Sequence, residues 1–154
     1  MTLIDLLSDG AVTAGQSFKT KKALFQHLGT IAAAEYGLDP QLVVEKITER
    51  ERLGSTGFGN GVAIPHGKID GMDHIVGMFV QLKDPLDFQS VNDMPVDLVF
   101  CLLSPPDSGA NHLKALAQVS RWLRDQSFVA KLRGAGSADA IKALFAGLET
   151  RDAA

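Results

Sequence analysis

The stretch Gly54-Ser55-Thr56-Gly57-Phe58-Gly59-Asn60-Gly61-Val62-Ala63-Ile64-Pro65-His66-Gly67 holds the residue types best suited to chemistry in this chain. Glycine reaches positive φ and adds no Cβ, so such a run can wrap backbone N–H groups closely around an anion. The histidine beside it has an unperturbed pKa near neutrality and can act as a nucleophile. Pro65 fixes its own φ and pushes Ile64 into an extended conformation, so His66 is expected at a set angle from a stiff strand end. Two further residues extend the pattern. Arg52, at a helix end just before the loop, can offer a planar fork to phosphate oxygens; its alternative is a surface ion pair with Glu49 or Asp70. His112 follows Asn111 in the first turn of a helix, where free N–H groups favour an anion; its alternative is a capping-turn histidine facing solvent.

The glycine spacing excludes two nucleotide fingerprints. Gly54-x4-Gly59 is followed by Asn60-Gly61 rather than Lys-Ser/Thr, so it is not a Walker A loop. Gly57-x-Gly59-x-Gly61 has the wrong last spacing for a dinucleotide loop and leads to a strand, not a helix. By its glycines alone the run reads as a plain hairpin-like loop. His27 is expected to face out of its helix and His74 to lie exposed at a strand start, and neither is given a role. His66, His74, His112, Asp70 and Asp73 are metal-ligand types, but no HxH, HExxH or CxxC spacing occurs, so no metal is expected. No G-x-S-x-G elbow is present, and the apolar setting of Cys101 raises its thiol pKa and argues against a nucleophile.

These residues need a scaffold, and the chain is long enough to supply one. Its 154 residues, 45% hydrophobic and 21% charged, fit a single domain spanning 1–154. The net charge is −3, with Lys and Arg scattered among acids, so no nucleic-acid partner is expected. One cysteine cannot form an intrachain disulfide, which fits a reducing compartment. The N-terminus lacks a signal-peptide pattern, and no apolar run approaches the ~20 residues of a membrane helix. A cytoplasmic chain without membrane insertion is expected.

Leu3 to Leu7 suggest a short helical turn and Val12 a strand start; Thr20–Tyr36 keeps helical spacing up to Gly37. Asp39-Pro40 is a cap followed by proline at the first position of a helix that carries Val43, Val44 and Ile47 inward and closes at Gly54. Strands are expected at Val62–Ile64, Ile75–Leu82 and Val96–Leu103, then a Pro-rich loop Ser104–Gly109. Asn111 opens a helix with Leu113, Leu116, Ala117, Val119 and Leu123 available for burial, and two helices follow from Ser127 and Ser137. The link between Ile75–Leu82 and Val96–Leu103 is too short for a βαβ crossover, so that pair is antiparallel or separated. The expected fold is α/β, a single mixed β-sheet flanked by helices on both faces, and not a Rossmann fold.

The segment Arg50-Glu51-Arg52-Leu53-Gly54 through His66-Gly67-Lys68 closely resembles the active-site segment of mannitol/fructose-class enzyme IIA proteins. These belong to the bacterial phosphoenolpyruvate-dependent phosphotransferase system. Met94-Pro95-Val96-Asp97-Leu98-Val99-Phe100-Cys101-Leu102-Leu103, then Pro105 and His112-Leu113-Lys114-Ala115-Leu116-Ala117, extends the resemblance over nearly the whole chain. Gly-Ser-Thr-Gly-x-Gly-Asn-Gly is similar to the wording of the nitrogen-regulatory branch, with Phe58 where an aliphatic residue is usual. The resemblance implies that His66 accepts a phosphoryl group from a phosphohistidine on an HPr-like carrier. His112 matches the second active-site histidine and Arg52 the arginine near the phosphoryl group. Ser55, Thr56, Gly57, Gly59, Asn60, Gly61 and Gly67 would then form the phosphoryl-binding loop. No metal or cofactor is implied. The partners implied are the carrier and regulatory targets in nitrogen, potassium and stress control, with the chain a monomer or weak homo-oligomer. Two alternatives stay open: a fructose or mannitol IIA that passes phosphoryl to a IIB domain, and a non-catalytic docking module.

Overall fold

The computed structural model describes residues 2–90 and 92–153. After a 3-10 turn, Ile4–Leu6, come β1 (Leu7–Gln16), α1 (Lys21–Tyr36), α2 (Pro40–Arg52), β2 (Gly57–Gly59), β3 (Val62–Ala63) and β4 (His66–Lys68). β5 (Val76–Leu86), β6 (Val96–Ser104), α3 (Ala110–Leu123), α4 (Gln126–Gly134) and α5 (Ala138–Ala153) complete the chain. The helix signals act where the sequence places them. Thr20 accepts from the Ala23 N–H, Asp39 accepts from the Gln41 N–H ahead of Pro40, and Gly37 ends α1 in the left-handed region at φ 66°.

Six strands form one sheet in the order β1-β5-β6-β3-β2, with β4 also pairing with β6. β5 and β6 are direct antiparallel neighbours, one of the two arrangements that their short link allows. The far edge of β6 is shared: β3 runs parallel along its first half and β4 along its second. The sheet is therefore mixed, as expected. β6 is apolar almost throughout because it is covered on both sides. Leu98, Phe100 and Leu102 face a core closed by α3, α4 and α5, and Val99, Cys101 and Leu103 face one closed by α1 and α2. Phe79, Phe100, Phe128 and Phe145 meet edge to face in the first core, with ring centroids 5.1–6.3 Å apart. Gln81, buried on that same side, donates to the Leu132 and Ala135 carbonyls and satisfies the end of α4.

Several boundaries differ from the sequence expectation. β1 begins at Leu7, because parallel pairing with β5 holds the chain extended, and register shifts along it absorb irregular stretches. Ser104 ends β6 instead of opening the loop. α3 buries His112, Ala115, Val119, Trp122 and Leu123, while Leu113 is 67% exposed. His112 thus stands in phase with the core stripe, and the capping-turn reading fails. His27 is half-buried rather than outward, with Nε2 3.2 Å from the Thr13 hydroxyl and its ring tilted on Phe18. Phe58 packs against the first core beneath the Arg124 guanidinium, so the aromatic ring is accommodated.

Candidate active site

Strand register fixes which way His66 points. His66 pairs with Leu102, Gly67 with Leu103 and Lys68 with Ser104. Side chains alternate along a strand, and neighbours in register share a face. His66 and Lys68 therefore share the α3 side with Leu102 and Ser104. Gly67 turns to α2, where a Cβ would lie 3.4 Å from that of Lys46. α2 packs this close because the position is glycine.

The half-buried ring of His66 has Nδ1 2.8 Å from the Ile64 carbonyl. A carbonyl only accepts, so Nδ1 carries the proton and the neutral ring keeps its lone pair on Nε2. Burial pulls the His66 pKa below the ordinary 6.5; the Ile64 bond opposes this, Arg50 lowers it and Glu51 raises it. The ring of His112 lies 5.6 Å away, centroid to centroid. His112 is buried, and its Nδ1 sits 2.6 Å from the hydroxyl of Ser104. Burial, then the charges of His66 and Lys68, lower its pKa as well. Two neutral imidazoles face a shared space at neutral pH, one of them with a defined nucleophilic nitrogen.

The direction of pH dependence follows from these shifts. His66, His112 and His27 all have lowered pKa values from 6.5, so near that pH the unfolded chain binds more protons than the folded one. Stability should be level above about pH 7 and fall as pH drops through 6.5 toward the folded values. Urea midpoints at about pH 7.5 and 5.5 check this; a higher midpoint at the acid pH would contradict it.

The arginine whose charge helps to lower the His66 pKa is Arg50. Arg50 stands one turn beyond Lys46 on the helix row that packs on Gly67, and its Nη1 donates to the Gly54 carbonyl at 2.9 Å. Arg52, about 200° round the helix from it, is exposed and lines the open groove between α1 and α2 with Gln26, Gln41 and Thr48. Neither His66 nor His112 lines that groove. The expectation for Arg52 is corrected accordingly. Arg50 stood in the same charged run, and only the packing of α2 distinguishes the two.

The glycine run divides into two parts. Gly57–Ala63 is a β-hairpin: Gly59 pairs with Val62 across Asn60-Gly61, whose φ values are 53° and 76°. Asn-Gly is the pair that such a two-residue turn favours. Asn60 gives its carbonyl to Arg133, and a Cβ at Gly61 would come 2.5 Å from that guanidinium. Val62 pairs with Leu98, and His66 pairs four residues farther along β6, about 13 Å away. The tip residues Gly59, Asn60 and Gly61 are therefore not brought to the histidines, which corrects the expected loop.

The other part, Ser55 to Gly57, lies closer. Thr56 gives its N–H and its hydroxyl to the buried Glu51 carboxylate and its carbonyl to the Ile64 N–H. Gly57 N–H bonds to the Ser55 hydroxyl. These amides brace the loop and are not free to cradle an anion. Gly67 contributes close packing. The sequence missed Arg50, Lys68 and Ser104 as neighbours of the histidines; the alternation in His66-Gly67-Lys68 was the one available signal for Lys68.

Cys101 is fully buried in the apolar sheet, which pushes its thiol far above the ordinary value and leaves it unreactive. Among the described residues no group of three or more His, Cys, Asp or Glu side chains could hold a metal. No helix among them is long and apolar enough to cross a membrane.

Comparisons with known proteins bear on the family and the fold. A family model described as "Phosphoenolpyruvate-dependent sugar phosphotransferase system, EIIA 2" matches residues 5–147. The chain is 44% identical over 146 residues to a nitrogen regulatory protein of Bradyrhizobium diazoefficiens, covering 95% of each. It is 43% identical over 120 residues to that of Escherichia coli, covering 77% of this chain and 74% of the other. The crystal structure of nitrogen regulatory protein IIA-Ntr from Neisseria meningitidis superposes with a TM-score of 0.87 at 32% identity, covering 92% of this chain and 97% of that one.

Proposed function

The chain belongs to the EIIA 2 family of the phosphoenolpyruvate-dependent sugar phosphotransferase system, and from that membership we propose that it is a phosphocarrier with regulatory output, centred on His66. The observation that carries this reading is the tie between His66 Nδ1 and the Ile64 carbonyl, which leaves Nε2 as the nucleophile beside His112.

The donor is a phosphohistidine on an HPr-like carrier. The His66 Nε2 lone pair forms a bond to phosphorus as the donor's N–P bond breaks, and that electron pair returns to the donor imidazole. The ring of His66 gains positive charge as it bonds, and the Ile64 carbonyl, accepting from Nδ1–H, stabilises it. The transition state is loose and in line, so positioning and charge stabilisation dominate. Arg50 and His112 meet the equatorial oxygens. No metal takes part. Transfer between two histidines is near-reversible, as a relay or signal requires.

Phosphorylation adds roughly −1.5 to −2 of charge. Leu53, three residues after Arg50, and Leu113, next to His112, are 85% and 67% exposed and available to a docking partner. A partner docking on this face meets apolar contact and a changed charge together, so the two forms bind targets differently. Identity to nitrogen regulatory proteins supports this output over sugar transport.

Incubation with phosphoenolpyruvate, enzyme I and the carrier should place one acid-labile phosphoryl group on the chain, and His66→Ala should abolish it. Label retained by that variant overturns the assignment. Absence of label on the unaltered chain favours a docking module, and onward transfer to a sugar-specific IIB domain favours a transport role.

A further inference from the structure

Ser104 stands where strand β6 ends, wholly buried, with its hydroxyl 2.6 Å from His112 Nδ1. Its register with Lys68 puts it on the α3 side of the sheet, the side from which His66 also projects. Among the described residues, His112 is the one hydrogen-bond partner of this hydroxyl. That matters because a hydroxyl has one hydrogen to give, and a buried hydrogen without an acceptor is unfavourable.

Two arrangements of a neutral His112 are possible. If Nδ1 carried the proton it would donate to Ser104, and the hydroxyl hydrogen would have no acceptor within the buried pair. If Ser104 donates to Nδ1 instead, the hydroxyl hydrogen and the Nδ1 lone pair are matched, and the ring proton sits on Nε2. We propose that Ser104 is a positioning residue that holds His112 as the Nε2–H tautomer, so that this ring offers a hydrogen-bond donor to the phosphoryl oxygens on His66. The role rests on His66 being the phosphoryl acceptor.

The two histidines are then set to opposite tasks by their second nitrogens. The Ile64 carbonyl can only accept, so it makes His66 Nε2 a lone-pair nucleophile. The Ser104 hydroxyl can donate, and so it makes His112 Nε2 a donor. Two rings with centroids 5.6 Å apart thus avoid presenting the same polarity to one phosphoryl group. A second lone pair there would repel the equatorial oxygens, and a second nucleophile would compete for phosphorus. Lowered pKa values at both rings keep each in the neutral form in which tautomer choice has meaning.

Long-range nitrogen–proton NMR of the full unphosphorylated chain reads the tautomer of each histidine directly. The unaltered chain should show His112 protonated at Nε2 and His66 protonated at Nδ1. Ser104→Ala should convert His112 to a mixture of tautomers and leave the His66 pattern in place, which also reports an intact site. Transfer from the phosphorylated HPr-like carrier should slow roughly tenfold or more in kcat, with KM little changed. Ser104→Thr, which keeps the hydroxyl, should restore both the tautomer and the rate.

His112 protonated at Nδ1 in the unaltered chain overturns the proposal. So does a Ser104→Ala variant with unaltered tautomer and rate. Failure of the unaltered chain to accept phosphoryl at all, with the tautomer pattern as expected, overturns the phosphocarrier reading and with it the purpose assigned to Ser104.

Discussion

Arg50→Ala should slow phosphoryl acceptance by His66 by roughly 10²-fold or more, while Arg52→Ala should leave it near the unaltered rate. The two arginines are two residues apart in sequence, and Arg50 is the one whose charge lowers the His66 pKa. Its guanidinium is steadied by the Gly54 carbonyl, so it is already oriented when the phosphoryl group arrives. A charge fixed in advance stabilises developing charge on the equatorial oxygens without reorganisation in the transfer step. Arg50→Lys should recover only part of the loss, because an ammonium cannot offer the planar fork. Rapid-quench measurement of label transfer from the phosphorylated carrier checks all three variants. A slow Arg52→Ala with a normal Arg50→Ala would reverse the assignment.

Glu51→Ala should destabilise the fold by about 3 kcal/mol and also slow phosphoryl acceptance. The Glu51 side chain is 6% exposed and forms an ion pair with Lys21 at 2.9 Å. It also accepts the Thr56 hydroxyl at 2.7 Å and the Thr56 N–H at 3.1 Å. Removing it leaves a buried N–H and a buried hydroxyl without this acceptor and strips a half-buried ammonium of its partner, each of which is costly. The effect reaches the site through a short bonded chain. Thr56 holds the Ile64 N–H at 3.1 Å, and the Ile64 carbonyl holds His66 Nδ1 at 2.8 Å. Urea unfolding measures the first effect and transfer under native conditions the second. Full stability in the variant would mean that water replaces the carboxylate. Lost stability with unchanged transfer would mean that Ile64 is held independently of the loop.

Much of the scaffold was legible because its signals are local. Asp39-Pro40 and Gly37 act within one helical turn of where they stand, so this cap and this break were legible, whereas α3 and α4 start from Gly109 and Asp125 rather than at Asn111 and Ser127. The short link between β5 and β6 constrained their pairing before any contact was known. His66 stood out because Pro65 and the glycines around it are strong backbone determinants. What misled the reading was the glycine run taken as one unit. Its hairpin-like alternative was correct for Gly57–Ala63, whose tip is held by Arg133 from α4.

The sequence by itself determined most of the elements, the mixed sheet and the family, and it singled out the two histidines, since each depends on residue type, spacing or a recognisable run of letters. The tertiary structure decided which arginine lies within electrostatic reach of His66, which nitrogen of each ring is already hydrogen-bonded and which glycines lie near the chemistry. The reason is rotational. At 100° per helical residue, Arg50 and Arg52 point to different neighbours, and nothing in their letters says which one α2 turns toward β4. Likewise a one-residue change in strand register exchanges the faces of a sheet. Ser104 meets His112 only because β4, β6 and α3 pack in one register, with His66 on the same side.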